Sequence, residues 1–326
     1  MNGDLDENLS VSAINLQLRA LTQKQINFFL ANKEKFLKVV TEPEIHEKME
    51  NEHKKYISDD FSNLLGLLSH DDDDFIVVIW NLTLSFFLLK CLMFTQWLPP
   101  SSLNSEMTDD EEYLTLLLVH LRGVTQFNTH TMAEMMSCEG AILKSNEIGV
   151  AVRPTTALLN HSCWPNTVRC SVGRKVVIMA AFTIQPGEEV TDTYTQTFHE
   201  LSRECRQTKC RSYKFTCTCQ ACKEDWPLLK ELPSALSKTC PSMFVKQMSM
   251  PMVIKLGEEL QLADTQAMSL FAAGQASQAL GQWQEMCLLA AEKIRQPSRI
   301  FIIIRERIQA CLWRIYANGI QKVYKQ

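Results

Sequence analysis

The chain has 326 residues, 46% of them hydrophobic and 21% charged, with a formal net charge of −4. That length holds two domains with a sizeable core. The mild negative balance excludes a molecule that binds nucleic acid or an anionic membrane by bulk charge. Twelve cysteines is a high count. The first ten residues, Met1 to Ser10, are acidic and polar, with no visible secretory signal. We therefore place the chain in a reducing compartment, where clustered thiols serve metals more than disulfides.

Residues 9 to 66 read as helical. Leu16, Leu18, Leu21, Ile26, Phe29 and Leu30 form an apolar stripe that Phe36, Leu37 and Val40 extend; Pro43 breaks it, and a second helix is expected from Glu44 to Leu68. Phe75 to Leu98 is apolar and long enough to span a bilayer, but it contains Asn81, Lys90 and Gln96 behind four aspartates. A buried helix or a strand–helix pair is the preferred reading, with a transmembrane helix as the rival. Pro99-Pro100-Ser101-Ser102 is a loop. Thr108 or Asp109 starts a helix with Asp110, Glu111 and Glu112 in its first turn, where the helix dipole favours acids, and the helix is expected to stop near Gly123.

The middle of the chain reads as short strands: Gly149 to Arg153, Val168 to Val172, Lys175 to Phe182 and Val190 to Tyr194. Gly173 is first in a two-residue loop, which suits a primed hairpin turn, and Gln185-Pro186-Gly187-Glu188 has the order of a type II turn. From Leu228 the chain turns helical again. Met268 to Gly274 and Ala276 to Leu289 read as a helix pair joined near Gly274, with spacing like one tetratricopeptide repeat, and Arg305 to Tyr324 as a last helix. A plain helical bundle fits this region as well.

The sharpest local signal is Cys217-Thr-Cys219-Gln-Ala-Cys222, three thiols within six residues. A zinc ion takes four tetrahedral ligands at about 2.3 Å for sulfur. The fourth is open among Cys163, Cys205, Cys210, His161 and His199. A closed site of four thiolates is structural, since no coordination position remains for a substrate.

Four stretches in order carry a family resemblance: Asn160-His161-Ser162-Cys163-Trp164-Pro165-Asn166; Pro186-Gly187-Glu188-Glu189-Val190; Tyr194; and Tyr213-Lys214-Phe215 running into the cysteine cluster. Together they resemble the SET-and-MYND (SMYD) lysine methyltransferases over residues 109 to 226. The fold class implied is α+β: a SET-type β core with a pseudoknot and a zinc-bound post-SET segment over 109–226, a helical region over 1–108, and a C-terminal helical, tetratricopeptide-like domain over 227–326. By the same resemblance, Asn128, Asn160 and His161 contact S-adenosylmethionine, Tyr194 faces the transferring methyl group, and Tyr213 and Phe215 wall the cofactor site and lysine channel. Cys163 is implied as the fourth ligand of one structural zinc ion with Cys217, Cys219 and Cys222.

The implied function is protein-lysine N-methylation that depends on S-adenosylmethionine, with a histone tail or other protein as substrate. Further protein partners are expected at the C-terminal helices, and no direct nucleic-acid or membrane binding. Two family parts are missing from the residues given: the glycine-rich first SET strand, and the MYND finger, since the first cysteine is Cys91. His130 stands where relatives often carry an aromatic of the lysine channel. The rival functions are a catalytically inactive, truncated SET-like scaffold for protein–protein interactions, and a plain zinc-stabilised interaction domain.

Overall fold

The computed structural model describes residues 14–41, 60–70, 75–99, 106–137, 143–173, 175–233 and 248–321. The expected helix from Glu44 to Leu68 lies largely outside them, and only Ser62–Leu65 of that stretch is seen as helix. The chain divides into two compact units, Met1–Thr131 with Val150–Leu158, and Met132–Gly149 with Leu159–Gln326.

In the first unit the N-terminal stripe is three short helices: α1 (residues 14–22), α2 (Ile26–Ala31) and α3 (Lys33–Thr41). The break after α1 has a physical cause, since the Lys24 carbonyl accepts the Trp97 indole N–H at 3.1 Å instead of continuing a helix. After α4 (Ser62–Leu65) comes α5 (Phe75–Phe94). α5 is long and apolar enough to cross a membrane. Its C-terminal half packs Leu88, Leu89, Leu92 and Met93 into the core, while Phe75, Ile76, Trp80 and Phe87 are exposed.

Helix α6 (Asp109–Asn128) starts as expected. The Thr108 hydroxyl accepts the Glu111 N–H while the Glu111 carboxylate accepts the Thr108 N–H, a reciprocal capping box. The helix runs five residues past Gly123, which serves close packing and not termination. A Cβ on Gly123 would lie 2.4 Å from the Ser69 carbonyl oxygen. Leu114, Leu117, Leu118 and Leu121 are fully buried against Phe29, Phe36 and Phe61. Strands β1 (Thr129–Ser137) and β2 (Leu143–Val152) pair in a two-stranded sheet, and α7 (Pro154–Ala157) follows.

In the second unit β3 (Asn160–His161) pairs in parallel with β6 (Thr191–Asp192), while β4 (Thr167–Val172) and β5 (Lys175–Ala180) form an antiparallel hairpin. The hairpin register sets Val172 opposite Lys175, with Gly173 at φ +57° in the turn. The Pro186-Gly187 turn closes through Glu188 N–H to the Gln185 carbonyl at 2.9 Å, with Gly187 at φ +83° as a type II turn requires. β6 is shorter than the expected strand from Val190 to Tyr194.

The helices α8 (Arg203–Ser212) and α9 (Gln220–Lys223) flank the cysteine-rich stretch. The C-terminal region is three long helices, α10 (Met250–Ala272), α11 (Ala276–Lys293) and α12 (Arg299–Gln321), with Gly274 at φ +85° between the first two. Small residues Ala267, Ala276, Ala279 and Ala290 are buried among them with Trp283 and Phe271. Val168, Cys170 and Val172, alternate positions of β4, join this core. Two α12 side chains hold β4 directly: Arg305 donates to the Thr167 carbonyl at 3.2 Å and Gln309 to the Arg169 carbonyl at 2.9 Å.

Trp283 is fully buried, and its indole N–H donates to Asp264 Oδ1 at 2.8 Å. Trp283→Ala is expected to cost ~3–5 kcal/mol by cavity formation, read by denaturant unfolding of the full chain. Leu288→Ala on the exposed side of the same helix should change stability by no more than ~0.5 kcal/mol.

Candidate functional site

The short β3–β6 pairing decides where the functional side chains go. Asn160 lies opposite Thr191 and His161 opposite Asp192, and Ser162 N–H adds a bond to the Asp192 carbonyl at 2.9 Å. Polar side chains then tie the two segments together. Asn160 Nδ2 donates to Glu189 Oε1 at 2.6 Å, Asn166 Nδ2 to the Glu189 carbonyl at 2.8 Å, and Thr191 N–H to Asn166 Oδ1 at 2.9 Å. Buried Asp192 pairs with Arg169 and accepts the Thr193 N–H.

His161 has both ring nitrogens engaged. Nδ1 accepts the Tyr194 backbone N–H at 3.0 Å, and Nε2 lies 3.3 Å from Cys163 Sγ. With Nδ1 as acceptor, the ring hydrogen sits on Nε2 and points at the sulfur. His161 is thereby a donor to a candidate metal ligand and not itself one of the four clustered donors.

Tyr194 donates its hydroxyl to the Leu159 carbonyl at 2.8 Å. Burial raises its pKa, and the negative charge of Asp192 and Glu189 nearby, with Tyr213, raises it further, so the phenol stays protonated at neutral pH. Its ring is the hub of an aromatic group: centroids lie 5.3 Å from His161, 5.4 Å from Tyr213 and 6.1 Å from Phe215, with His161 and Phe215 5.7 Å apart. Tyr213 and Phe215 belong to no strand. Tyr213 caps the C-terminus of α8, and Lys214 between them takes φ +63°, which turns the chain toward the cysteines.

The four sulfurs of Cys163, Cys217, Cys219 and Cys222 all lie within 4.8 Å of one another. Cys163 is 3.8 Å from Cys217 and 3.5 Å from Cys222. A tetrahedron with zinc–sulfur bonds of about 2.3 Å places its sulfurs about 3.8 Å apart, so the spacing and donor type both fit zinc. Cys163, Cys217 and Cys222 are buried and Cys219 is half-buried. Hydrogen bonding among the clustered sulfurs lowers the Cys217 and Cys219 thiols and raises those of Cys163 and Cys222, so the four share their protons unevenly. Of the other candidate fourth ligands, Cys210 is fully buried in the same core but stands outside the converging four, and Cys205 is exposed. His199 instead bonds Thr197 Oγ1 through Nδ1 at 3.0 Å.

The loop carrying three of the thiols is held by α8. Gln207 Nε2 donates to the Cys217 carbonyl at 2.7 Å, and Cys217 N–H donates to Gln207 Oε1 at 3.1 Å. Cys219 is the N-cap of α9, which returns Cys222 to the cluster. Gln207 carries no signal of this role in its own sequence position. A polar helix ending next to a C-x-C-x-x-C run was the available cue, since metal ligands need outer partners.

Asn160, His161, Tyr194, Tyr213, Phe215 and the four cysteines thus share one compact unit. Asn128 belongs to the other, at the end of α6, where its amide donates to the Leu68 carbonyl at 2.7 Å and the Val124 carbonyl at 2.9 Å.

The family model described as SET domain matches residues 23–195, more than half of the chain. That match begins well before residue 109. Among curated proteins, Histone-lysine N-methyltransferase Smyd1 of Mus musculus is 29% identical over 144 residues, 40% of this chain and 26% of that protein. N-lysine methyltransferase SMYD2 of Homo sapiens is 37% identical over 91 residues, 27% of this chain and 21% of that protein. N-lysine methyltransferase SMYD2-B of Danio rerio is 27% identical over 127 residues, 35% of this chain and 29% of that protein. The matched stretch is under a third of the length of each of these relatives.

The donor set predicts one zinc ion per purified chain by elemental analysis. Zinc affinity should fall as pH drops, because all four sulfurs must lose their protons to bind. Cys219→Ser should release the metal and lower the melting temperature. A metal-free wild-type chain, or a variant that melts with it, contradicts the site.

Proposed function

This chain belongs to the SET-domain family, in its SMYD group, and from that premise we propose that it is a protein-lysine N-methyltransferase using S-adenosylmethionine. The observation that carries the reading is the position of Tyr194, whose backbone is bonded to His161 and whose ring stands against His161, Tyr213 and Phe215. The parallel pairing of β3 with β6 supports a SET pseudoknot, with Asn160 and His161 in its threaded segment. Cys163 lies two residues beyond that segment, so a zinc ion on the four sulfurs would tie the Tyr213–Phe215 stretch to it.

S-adenosylmethionine supplies an electrophilic methyl group when bound. With it bound, the lysine amine would first give up a proton to solvent and then take the methyl group, a nitrogen–carbon bond forming as the donor's sulfur–carbon bond breaks. A free lysine has a pKa near 10.4, and apolar surroundings disfavour its charged form. Tyr213 and Phe215 provide such walls, and their ring faces also tolerate the methylated cation that forms.

Tyr194 is poorly suited to take the proton, since its own pKa is raised. Its hydroxyl hydrogen is committed to Leu159, which leaves oxygen lone pairs to orient the amine and face the positive charge of the methyl donor. Asn160 is exposed, with its amide fixed on Glu189, and so can present its remaining polar atoms to a ligand. Asn128 is proposed as a cofactor contact on family resemblance alone. The substrate is proposed to be a histone tail or another lysine-bearing protein, in the cytoplasm or nucleus, with the C-terminal helices as the surface for further protein partners.

Calorimetry with S-adenosylmethionine and a radiolabelled methyl-transfer assay on histone and lysate protein test the reading. Tyr194→Phe should slow transfer about 10- to 100-fold, the equivalent of one hydrogen bond to a charged group, with cofactor affinity nearly intact. No affinity at millimolar cofactor, or full activity in the variant, contradicts the assignment.

A further inference from the structure

Four thiolates around a divalent zinc ion leave two net negative charges, and here three of the four cysteines are buried. Buried charge persists only where an opposite charge or strong hydrogen bonds meet it. Arg206, in α8, is itself fully buried with 0% exposure. Among the described residues no carboxylate pairs with it.

Its guanidinium reaches instead into the metal centre. Nη1 donates to the Leu201 carbonyl at 2.5 Å and the Phe198 carbonyl at 3.3 Å. Nη2 donates to the Ala221 carbonyl at 3.5 Å and to Cys222 Sγ at 3.8 Å. The three carbonyls aim the fork, and the sulfur is the partner that carries charge. The neighbouring Gln207 clamps the Cys217 backbone from the same helix. Consecutive residues of α8 thus hold two different ligands.

We infer that Arg206 is the counter-cation of the four-thiolate site, a positioning residue that orients Cys222 and offsets the negative charge left by the metal. The inference rests on the proposal that the cluster holds zinc. The fork geometry matters as well as the charge. Lysine at this position keeps one positive charge but cannot make four aimed bonds from a planar group.

The test compares the full-length wild-type chain with R206K, R206M and a surface control on the same helix, R203M, where Arg203 is exposed. Zinc affinity is measured by chelator competition, and cobalt is substituted for zinc to read the sulfur-to-metal charge-transfer bands. Loss of an outer partner typically weakens a metal site about 10- to 100-fold. R206M is expected at the upper end of that range and R206K near the lower end, with R203M unchanged. The cobalt bands of R206K and R206M should move to longer wavelength, because a sulfur without its hydrogen bond gives up electron density more readily. A purely structural role would leave the bands in place.

If R206M does not fold, R206K carries the test by itself. Wild-type affinity and unmoved bands in R206K overturn the inference, as does an equal loss in R203M. A wild-type chain that takes up no zinc overturns the zinc proposal beneath it, which is a separate result.

Discussion

Cys163 stands 54 residues before Cys217 and 59 before Cys222, yet its sulfur lies within 4 Å of both. That convergence is the constraint on which the second unit depends. Closing so long a loop costs chain entropy, which a metal ion held by the four sulfurs would offset. The same convergence brings Tyr213 and Phe215, just upstream of the thiols, beside Tyr194 and His161.

His161 makes the link between the four-sulfur cluster and the aromatic group explicit. One ring nitrogen meets the Tyr194 backbone and the other meets the Cys163 sulfur. Tyr194 is accordingly held from two sides, by its N–H on His161 and its hydroxyl on Leu159. A disturbance at the cysteines therefore has a short covalent and hydrogen-bonded path to the phenol. The last helix acts on the same core from the other direction, with Arg305 and Gln309 fastened to β4 carbonyls. Arg305 is half-buried, and desolvation lowers its pKa to about 10 against the opposing pull of Asp192 and Glu200.

Features with local causes were legible in the sequence. The capping residue Thr108, the turn glycines Gly173 and Gly187, the helix pair around Gly274 and the three clustered cysteines each announce themselves within a few residues. Features set by distant partners were not. Gly123 looked like a helix stop because its close neighbour, Ser69, is far off in the chain. The stripe of residues 14–41 looked continuous because the Trp97 indole that takes the Lys24 carbonyl is remote. Tyr213 and Phe215 alternate as a strand would, yet a helix cap and a left-handed Lys214 place them. The fourth thiol followed only from family resemblance, since spacing left five candidates open, and Arg206 and Arg305 gave no periodic signal at all.

X-ray absorption at the zinc edge of the purified full chain addresses the four-sulfur centre most directly. The expected result is a first shell of four sulfurs at about 2.3 Å with no nitrogen, consistent with His161 as a donor to Cys163 and not a ligand. A shell with three sulfurs and one imidazole nitrogen, or one dominated by oxygen, would contradict the account.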